Sequence, residues 1–127
     1  MSNGRILIGE DKTLIMLLNK TGGEISCNGA PMKVLSANTT DAAQEKHVPV
    51  VEVSGNKISV KVGSAAHPMT DAHWIQWIYL QTKRGGQYRV LTPSDKPEAA
   101  FLVAEDDAPL AVYEYCNLHG LWKADVK

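Results

Sequence analysis

Apolar and polar residues alternate with a period of two along much of this chain. In residues 57–62 every second side chain is apolar, which is the pattern of a strand with one face on a core and the other in water. A β-branched run at 49–53 comes before it, and the turn-forming residues Ser54-Gly55-Asn56 lie between the two. The two runs therefore predict a β-hairpin.

Further runs of the same kind follow along the chain. An aromatic and β-branched run from Trp74 to Tyr79 resumes at 87–91 after Lys83-Arg84-Gly85-Gly86, which predicts a second hairpin. Two later runs, 100–104 and 110–115, are separated by a turn-forming stretch that contains proline. About six short strands at regular spacing predict an all-β fold, an antiparallel β-sandwich.

The N-terminal part of the chain has a different pattern, which predicts a small β subdomain. Short apolar runs at 5–8 and 13–18 are joined by polar residues, and glycine-containing turns follow. The run from Leu14 to Leu18 fits a helical turn as well as a strand. A β unit of about 35 residues is marginal on its own, so we expect it to dock on the larger part or on another subunit.

A polar stretch with few β-formers, residues 36–44, is the best linker candidate. It divides the chain into the small N-terminal subdomain, 1–36, and a larger domain, 37–127. With 44% apolar residues among 127, the chain can bury a sizeable core. Its longest apolar stretches are far shorter than the roughly 20 residues of a membrane-spanning helix, so no membrane association is expected.

The charge and the cysteine content argue against two classes of protein, nucleic-acid binders and disulfide-rich secreted scaffolds. The chain has 13 Lys and Arg against 14 Asp and Glu, a net charge of −1, with both signs interspersed, so no nucleic-acid partner is expected. Two cysteines are too few for a disulfide-dense secreted scaffold, and we expect reduced thiols. The first residues lack the pattern of a secretion signal, which favours a cytoplasmic location.

The candidate chemistry consists of four histidines and a cysteine near predicted strand ends or connecting loops: His47, His67, His73, Cys116 and His119. Cys116 and His119 are separated by two residues, so a single turn can direct both donors to one metal ion. The five residues between His67 and His73 let a loop return and point both rings at one centre. Each pattern also has an ordinary explanation, since a Cys-x-x-His pair arises by chance and the other histidines fit turn or surface positions.

Three segments carry a more specific signal when they are taken together: Glu45-Lys46-His47-Val48-Pro49-Val50; His67-Pro68-Met69-Thr70 with His73-Trp74-Ile75 and Trp77-Ile78; and Cys116-Asn117-Leu118-His119-Gly120 with Trp122. In this order and spacing they closely resemble the superoxide reductase family, also called desulfoferrodoxin or neelaredoxin. The resemblance covers roughly residues 33–124. It implies an immunoglobulin-like β-sandwich that carries one mononuclear non-haem iron.

The resemblance also implies a ligand set and an activity. The equatorial nitrogens would come from His47, His67, His73 and His119, the axial thiolate from Cys116, and a sixth position would be open to superoxide. Five donors exceed the four of a structural zinc site, and mixed imidazole and thiolate donors suit iron better than calcium or magnesium. A ferrous ion with one thiolate keeps one positive charge, which favours an anionic substrate. The implied reaction is the one-electron reduction of superoxide to hydrogen peroxide.

Residues beside these ligands have expected roles as well. Lys46 offers positive charge that steers an anion to the open face, and Glu45 matches the family's glutamate that closes the vacant position in the oxidised resting state. The thiolate of Cys116 pushes electron density toward the substrate. We expect the backbone amides of Asn117 and Leu118 to donate to its sulfur. Nearby aromatic and methionine side chains are expected to serve as packing: Trp74, Trp77, Tyr115, Trp122, Met32 and Met69.

The chain departs from several family members in its N-terminal part. Those members bind a second iron there through four cysteines, whereas only Cys27 is present here, so the chain resembles the class that keeps this subdomain without its metal. We expect Cys27 to be an inert, partly buried residue. Electrons would come from outside, from rubredoxin or a similar small carrier, and the family analogy favours a homo-oligomer. Two alternatives stay open, namely a non-catalytic iron-binding or sensing sandwich and superoxide dismutase activity at the same iron.

Overall fold

The computed structural model describes residues 5–19 and 22–126 of the chain. Its internal contacts separate two compact units, one ending at Ser36 and the other beginning at Ala37. Strands make up nearly all of the regular structure in both units. Every pair of neighbouring strands is antiparallel.

The unit that ends at Ser36 is built from short strands: β1 (Ile6–Ile8), β2 (Leu14–Met16), β3 (Ser26–Cys27), β4 (Ala30–Pro31) and β5 (Lys33–Val34). β1 lies between β2 and β5 in one sheet, and β3 pairs with β4. The alternative of a helical turn at Leu14 to Leu18 is wrong, because β2 pairs with β1. Cys27 is half-buried, and its sulfur lies 3.6 Å from Asp11 Oδ1.

The unit that begins at Ala37 is a two-layered sandwich with one short helix before its strands: α1 (Gln44–His47), β6 (Pro49–Ser54), β7 (Lys57–Val62), β8 (Ile75–Thr82), β9 (Gly85–Val90), β10 (Glu98–Leu102), β11 (Pro109–Cys116) and β12 (Gly120–Asp125). One sheet has the order β10-β7-β6, and the other has the order β12-β11-β8-β9. The predicted antiparallel, immunoglobulin-like β-sandwich is confirmed.

Both predicted hairpins are present. β6 pairs with β7 around a turn in which Gly55 adopts a φ of +61°, a conformation that glycine takes without a steric penalty. The second hairpin, β8 with β9, is longer than expected because Gly85 and Gly86 lie in the strand instead of interrupting it. Gly86 is required there because the Tyr79 ring occupies the space of its missing Cβ.

The hydrophobic core lies between the two sheets. On β7 the alternating residues Ile58, Val60 and Val62 face inward and are at most 1% exposed. Ile78 and Leu80 of β8 pack against them from the opposite sheet and are fully buried. Because burial of each aliphatic side chain contributes about 1.5–3 kcal/mol to stability, this alternation holds the two sheets face to face.

Residues 44–47 form a short helix, α1, just before β6. The helix has no side-chain cap at its N-terminus. The neighbouring turn holds it instead, since Ala65 N donates to Glu45 O at 2.9 Å and Ser64 Oγ donates to the same oxygen at 3.3 Å. Among the described residues, no helix has the length and apolar character needed to cross a membrane.

One end of the sandwich gathers the chain segments that carry the candidate ligands. The register pairs the start of β6 with the end of β7, Pro49 opposite Val62. It also pairs Cys116 at the end of β11 with Ile75 on β8 and Gly120 on β12. Helix α1, the loop between β7 and β8, and the turn between β11 and β12 therefore meet at this end.

The other end of the second sheet is fastened by the Asp107 carboxylate. Its Oδ2 accepts from Thr82 Oγ1 at 2.6 Å, and its Oδ1 accepts from the backbone N–H groups of Arg84 and Ala108 at 2.9 and 2.8 Å. These hydrogen bonds, led by that of Thr82, lower the pKa of Asp107 below its usual value. A carboxylate with a lowered pKa stabilises the fold above its unfolded pKa, and this contribution is lost as the pH falls through the folded pKa.

We expect Asp107→Asn to lower the thermal unfolding midpoint at neutral pH, because an amide offers one acceptor oxygen in place of two. The difference from the wild-type midpoint should shrink as the pH falls below 4, where the wild-type carboxyl is protonated as well. Circular dichroism melts between pH 3 and 7 measure this. Asp106→Asn is the matched control, since the Asp106 carboxylate forms an exposed ion pair with Arg84, and such a pair contributes little to stability. Equal midpoints for the two variants would contradict the assignment.

Candidate metal centre

Four imidazole rings form a closed square at the end of the sandwich described above. Neighbouring ring centroids are 4.8 Å apart for His47 and His67, 4.5 Å for His67 and His73, 5.2 Å for His73 and His119, and 4.9 Å for His119 and His47. Each of these neighbouring pairs meets edge to face. His47 and His73 are 6.5 Å apart, as expected for opposite corners.

The sulfur of Cys116 approaches this square from the core. Cys116 is fully buried, and its Sγ lies 3.9 Å from His119 Nδ1. The candidate donor atoms of four residues all lie within 4.8 Å of one another: His47, His67, His73 and Cys116. The structure therefore brings together all five residues that the sequence indicated as ligands.

Backbone carbonyls set the orientation of two of the rings. His47 Nδ1 lies 2.7 Å from Ala43 O, and His67 Nδ1 lies 2.7 Å from Pro68 O. A carbonyl only accepts hydrogen bonds, so each Nδ1 carries the proton and each Nε2 keeps its lone pair for another partner. Both lone pairs belong to buried rings of the cluster.

The inward nitrogens lack the protein partners that buried polar atoms normally have. His67 Nε2 and His73 Nε2 are buried, and neither has a hydrogen-bond partner among the described residues. His47 Nε2 and His119 Nδ1 lie 3.1 Å apart. Two nitrogens bound at right angles to one ion, each about 2.1 Å from it, are about 3 Å apart. The donor set thus fits a single transition-metal ion.

Burial keeps the rings in the neutral form that binds metals. It lowers the pKa of His67 to about 4, since the protonated ring is poorly solvated there, and the neighbouring imidazoles lower it further. Burial is also the main cause that lowers the pKa of His47 and of His73. At neutral pH these rings therefore need no proton release before they bind an ion.

For Cys116, in contrast to the histidines, burial disfavours the deprotonated form that binds metals. Burial raises the pKa of the Cys116 thiol, while the backbone N–H groups of Leu118 and His119 lower it by donating to the sulfur. The expected donation from the amide of Asn117 is wrong, because that N–H instead donates to Trp74 O at 3.3 Å. The amides two and three residues after the cysteine face the sulfur in this turn.

Aromatic side chains pack around the site. Trp122 is buried, stacks on His47 with ring centroids 4.9 Å apart, and donates from Nε1 to His119 O at 3.1 Å. Trp77 and Tyr115 stack on each other at 5.8 Å. Met69 packs against the core, and its sulfur accepts from Ile75 N at 3.4 Å. These contacts support the packing role expected for such residues.

Three charged residues near the cluster differ sharply in burial. Glu45 and Lys46 of α1 are exposed, and the positive charge of Lys46 acts on the pKa of both His47 and His73. Glu114 is fully buried, and burial raises its pKa well above the usual value. Both of its oxygens lack a partner among the described residues. Sequence reasoning missed Glu114, although its place two residues before Cys116 on an alternating strand puts it on the inward face.

Comparison with known proteins finds relatives that cover most of the chain. The desulfoferrodoxin family model matches residues 39–125. A desulfoferrodoxin of Syntrophotalea carbinolica is 50% identical over 112 residues, which cover 88% of this chain and 87% of that protein. The region that the family model matches includes all five candidate ligands.

Solved structures agree with this relationship. The superoxide reductase of Treponema pallidum has a TM-score of 0.79 and 40% identity, and the alignment covers 94% of this chain and 98% of that one. The superoxide reductase (1Fe-SOR) of Giardia intestinalis has a TM-score of 0.56 and 32% identity over 65% of this chain and 98% of that one. By its sequence and by its fold, the chain belongs to the desulfoferrodoxin family.

Proposed function

We propose that the protein is a superoxide reductase that binds one iron ion through His47, His67, His73, His119 and Cys116. The observation that carries this proposal is the square of four imidazoles with a buried sulfur beside it. Such a set has five protein donors, one more than a structural zinc site uses. An ion that prefers six ligands would keep one position for a small substrate, and mixed imidazole and thiolate donors favour iron over calcium or magnesium.

The proposed reaction joins one superoxide, one electron and two protons to give one hydrogen peroxide. When bound, iron supplies the single electron and recovers it from an external donor. The thiolate of Cys116 adds negative charge on the core side, which favours transfer of electron density away from the sulfur. The uncharged imidazoles leave the loaded centre with one net positive charge, which attracts the superoxide anion.

Two side chains of α1 would act on the substrate from the solvent side. Lys46 is exposed, and its charge interacts with His47 and His73, so it is placed to draw an anion toward the rings. Its ammonium also has protons for a hydrogen bond to the reduced oxygen. We propose that the Glu45 carboxylate covers the open position between turnovers, as the resemblance to the family implies.

Lys46→Met is expected to slow the second-order reaction with superoxide by about tenfold at low ionic strength, because the attractive charge near the site is lost. The dependence of that rate on salt should flatten at the same time. Pulse radiolysis at several ionic strengths measures both effects.

Lys57→Met is the matched control for this charge. Lys57 is exposed at the far end of β7, about 16 Å along the strand from Val62, so its removal changes the net charge equally but leaves the site untouched. Its rate should stay within twofold of the wild-type rate. An unchanged rate in Lys46→Met would remove this residue from the mechanism.

The function itself is tested by stoichiometry. Iron-loaded protein is mixed with reduced rubredoxin, which we propose as the type of small electron carrier that serves as donor, and superoxide is then added. We expect one rubredoxin electron and one superoxide to be consumed for each hydrogen peroxide formed, without dioxygen release. Dioxygen release would indicate dismutation, and absence of any reaction would indicate a binding or sensing module. Either of these outcomes would refute the proposal.

The proposal extends to the electron donor, the location and the oligomeric state of the enzyme. The described residues hold one candidate metal cluster of histidine and cysteine, and we propose that its electrons come from a separate small carrier protein. We propose a cytoplasmic location and a homo-oligomer, the latter because a small β unit gains stability from packing on a partner. Sedimentation of the iron-loaded protein measures its oligomeric state.

A further inference from the structure

Within the residues that the structure describes, the ring of His73 lacks the hydrogen bond to a backbone carbonyl that orients two other candidate ligands. His47 and His67 are each oriented by a hydrogen bond from the ring to a backbone carbonyl. Within the described part of the chain, no hydrogen bond reaches the His73 ring, and its Nε2 is buried without a partner. Apart from its edge-to-face contacts with His67 and His119, the ring therefore depends on its main chain for its position. The exact placement of a ligand matters, because a metal site tolerates deviations of only about 0.5 Å.

The main chain around His73 is fastened by one side chain from another element. Asn117 Oδ1 accepts from Trp74 N at 2.9 Å, and Asn117 Nδ2 donates to Ala72 O at 3.0 Å. The side chain thus bonds the peptide group before His73 and the peptide group after it. His73 itself closes a tight turn with Thr70, N to O at 3.1 Å and the reverse at 2.9 Å. The turn is therefore held as one body.

Asn117 lies between two other candidate ligands, in the turn from Cys116 to His119. Its own N–H donates to Trp74 O at 3.3 Å, the longest of the three bonds that link the two loops. Removal of the side chain would leave this single long bond between the loop of His73 and the turn. The two side-chain bonds hence carry most of the connection.

We propose that Asn117 is a positioning residue of the metal centre, whose side chain clamps the backbone on both sides of His73 to the Cys116 turn. The proposal rests on the metal-binding part of the proposed function and is independent of the reaction that the centre performs. Loss of residues that orient metal ligands typically weakens metal binding 10- to 100-fold.

The test is the rate at which Fe²⁺ leaves the full-length protein to a chelator under anaerobic conditions. Asn117→Ala should raise this rate by about 10- to 100-fold. Asn117→Ser keeps a shorter acceptor near Trp74 N–H, so its rate should lie between those of the wild type and Asn117→Ala. It also serves as the informative variant if Asn117→Ala does not fold.

Asn38→Ala is the matched control. The Asn38 side chain also makes two backbone bonds, accepting from Lys123 N at 2.8 Å and donating to Lys123 O at 3.1 Å, but neither flanks a candidate ligand. Its φ of +60° makes alanine strained there, so the control loses at least as much stability. We expect its iron release rate to stay within about twofold of the wild-type rate.

The outcomes separate this proposal from the proposed function. A wild-type release rate in both Asn117 variants, or an equal acceleration in Asn38→Ala, would overturn the role of Asn117 while leaving superoxide reduction intact. Wild-type protein that holds Fe²⁺ but does not react with superoxide would refute the function, and the clamp would still be measurable. Wild-type protein that binds no Fe²⁺ would overturn both.

Discussion

Replacing Cys116 with serine is expected to weaken iron binding by at least about 100-fold, since even residues that only orient ligands contribute 10- to 100-fold. A serine hydroxyl does not ionise at neutral pH, so the centre loses both a ligand and its negative charge. The sulfur-to-iron absorption band of the oxidised protein should disappear. The midpoint potential should change as well, because a thiolate ligand would raise the electron density at a bound ion.

Cys27→Ser is the matched control for this substitution. Cys27 lies in the other compact unit, where its sulfur is next to Asp11. That variant should keep the absorption band, the iron affinity and the superoxide rate of the wild type. Iron titration followed by visible spectroscopy measures both variants under the same conditions. Retention of the band and of the midpoint potential in Cys116→Ser would refute the assignment of this sulfur as a ligand.

Most of the fold could be predicted from the alternation of apolar and polar residues along the chain. The strict pattern at Lys57–Val62 predicts a strand with one buried face, and Ile58, Val60 and Val62 are buried. Helix α1 was missed because four residues are too few to display a helical period, and bonds from the turn at 64–65 hold it. Gly86 was interpreted as part of a strand break. Glycine is needed there because the Tyr79 ring of the neighbouring strand fills the space of a Cβ, and a contact between strands leaves no local signal in the sequence.

The sequence predicted which residues come together at the site, but only part of their geometry. The motifs around His67 and Cys116 indicated metal donors, and the structure brings these donors together. Which amides face the sulfur depends on how the turn after Cys116 winds, so the expectation for Asn117 was wrong while that for Leu118 was right. Tertiary links such as the clamp from Asn117 to the loop of His73 join residues more than 40 positions apart and leave no periodic signal.

Gly63→Ala is expected to disrupt the metal centre from outside its ligand set. A Cβ on Gly63 would lie 2.6 Å from Glu45 O and 3.0 Å from Lys46 C. Both are backbone atoms of α1, so neither moves away as a flexible side chain would. Overpacking of this kind costs about 1–3 kcal/mol, and the helix can relieve it only by shifting away from the turn at residues 63–65.

A shift of α1 carries His47 with it, because His47 is the last residue of that helix. We therefore expect Gly63→Ala to lower iron affinity by about 10-fold or more and to lower the thermal midpoint of the metal-free protein. Isothermal titration and thermal melts measure the two effects. Gly23→Ala makes the same chemical change at a position where, among the described residues and apart from its chain neighbours, no atom lies within 4 Å of the added Cβ, so it should match the wild type. If Gly63→Ala binds iron with wild-type affinity, the contact between α1 and this turn does not position His47.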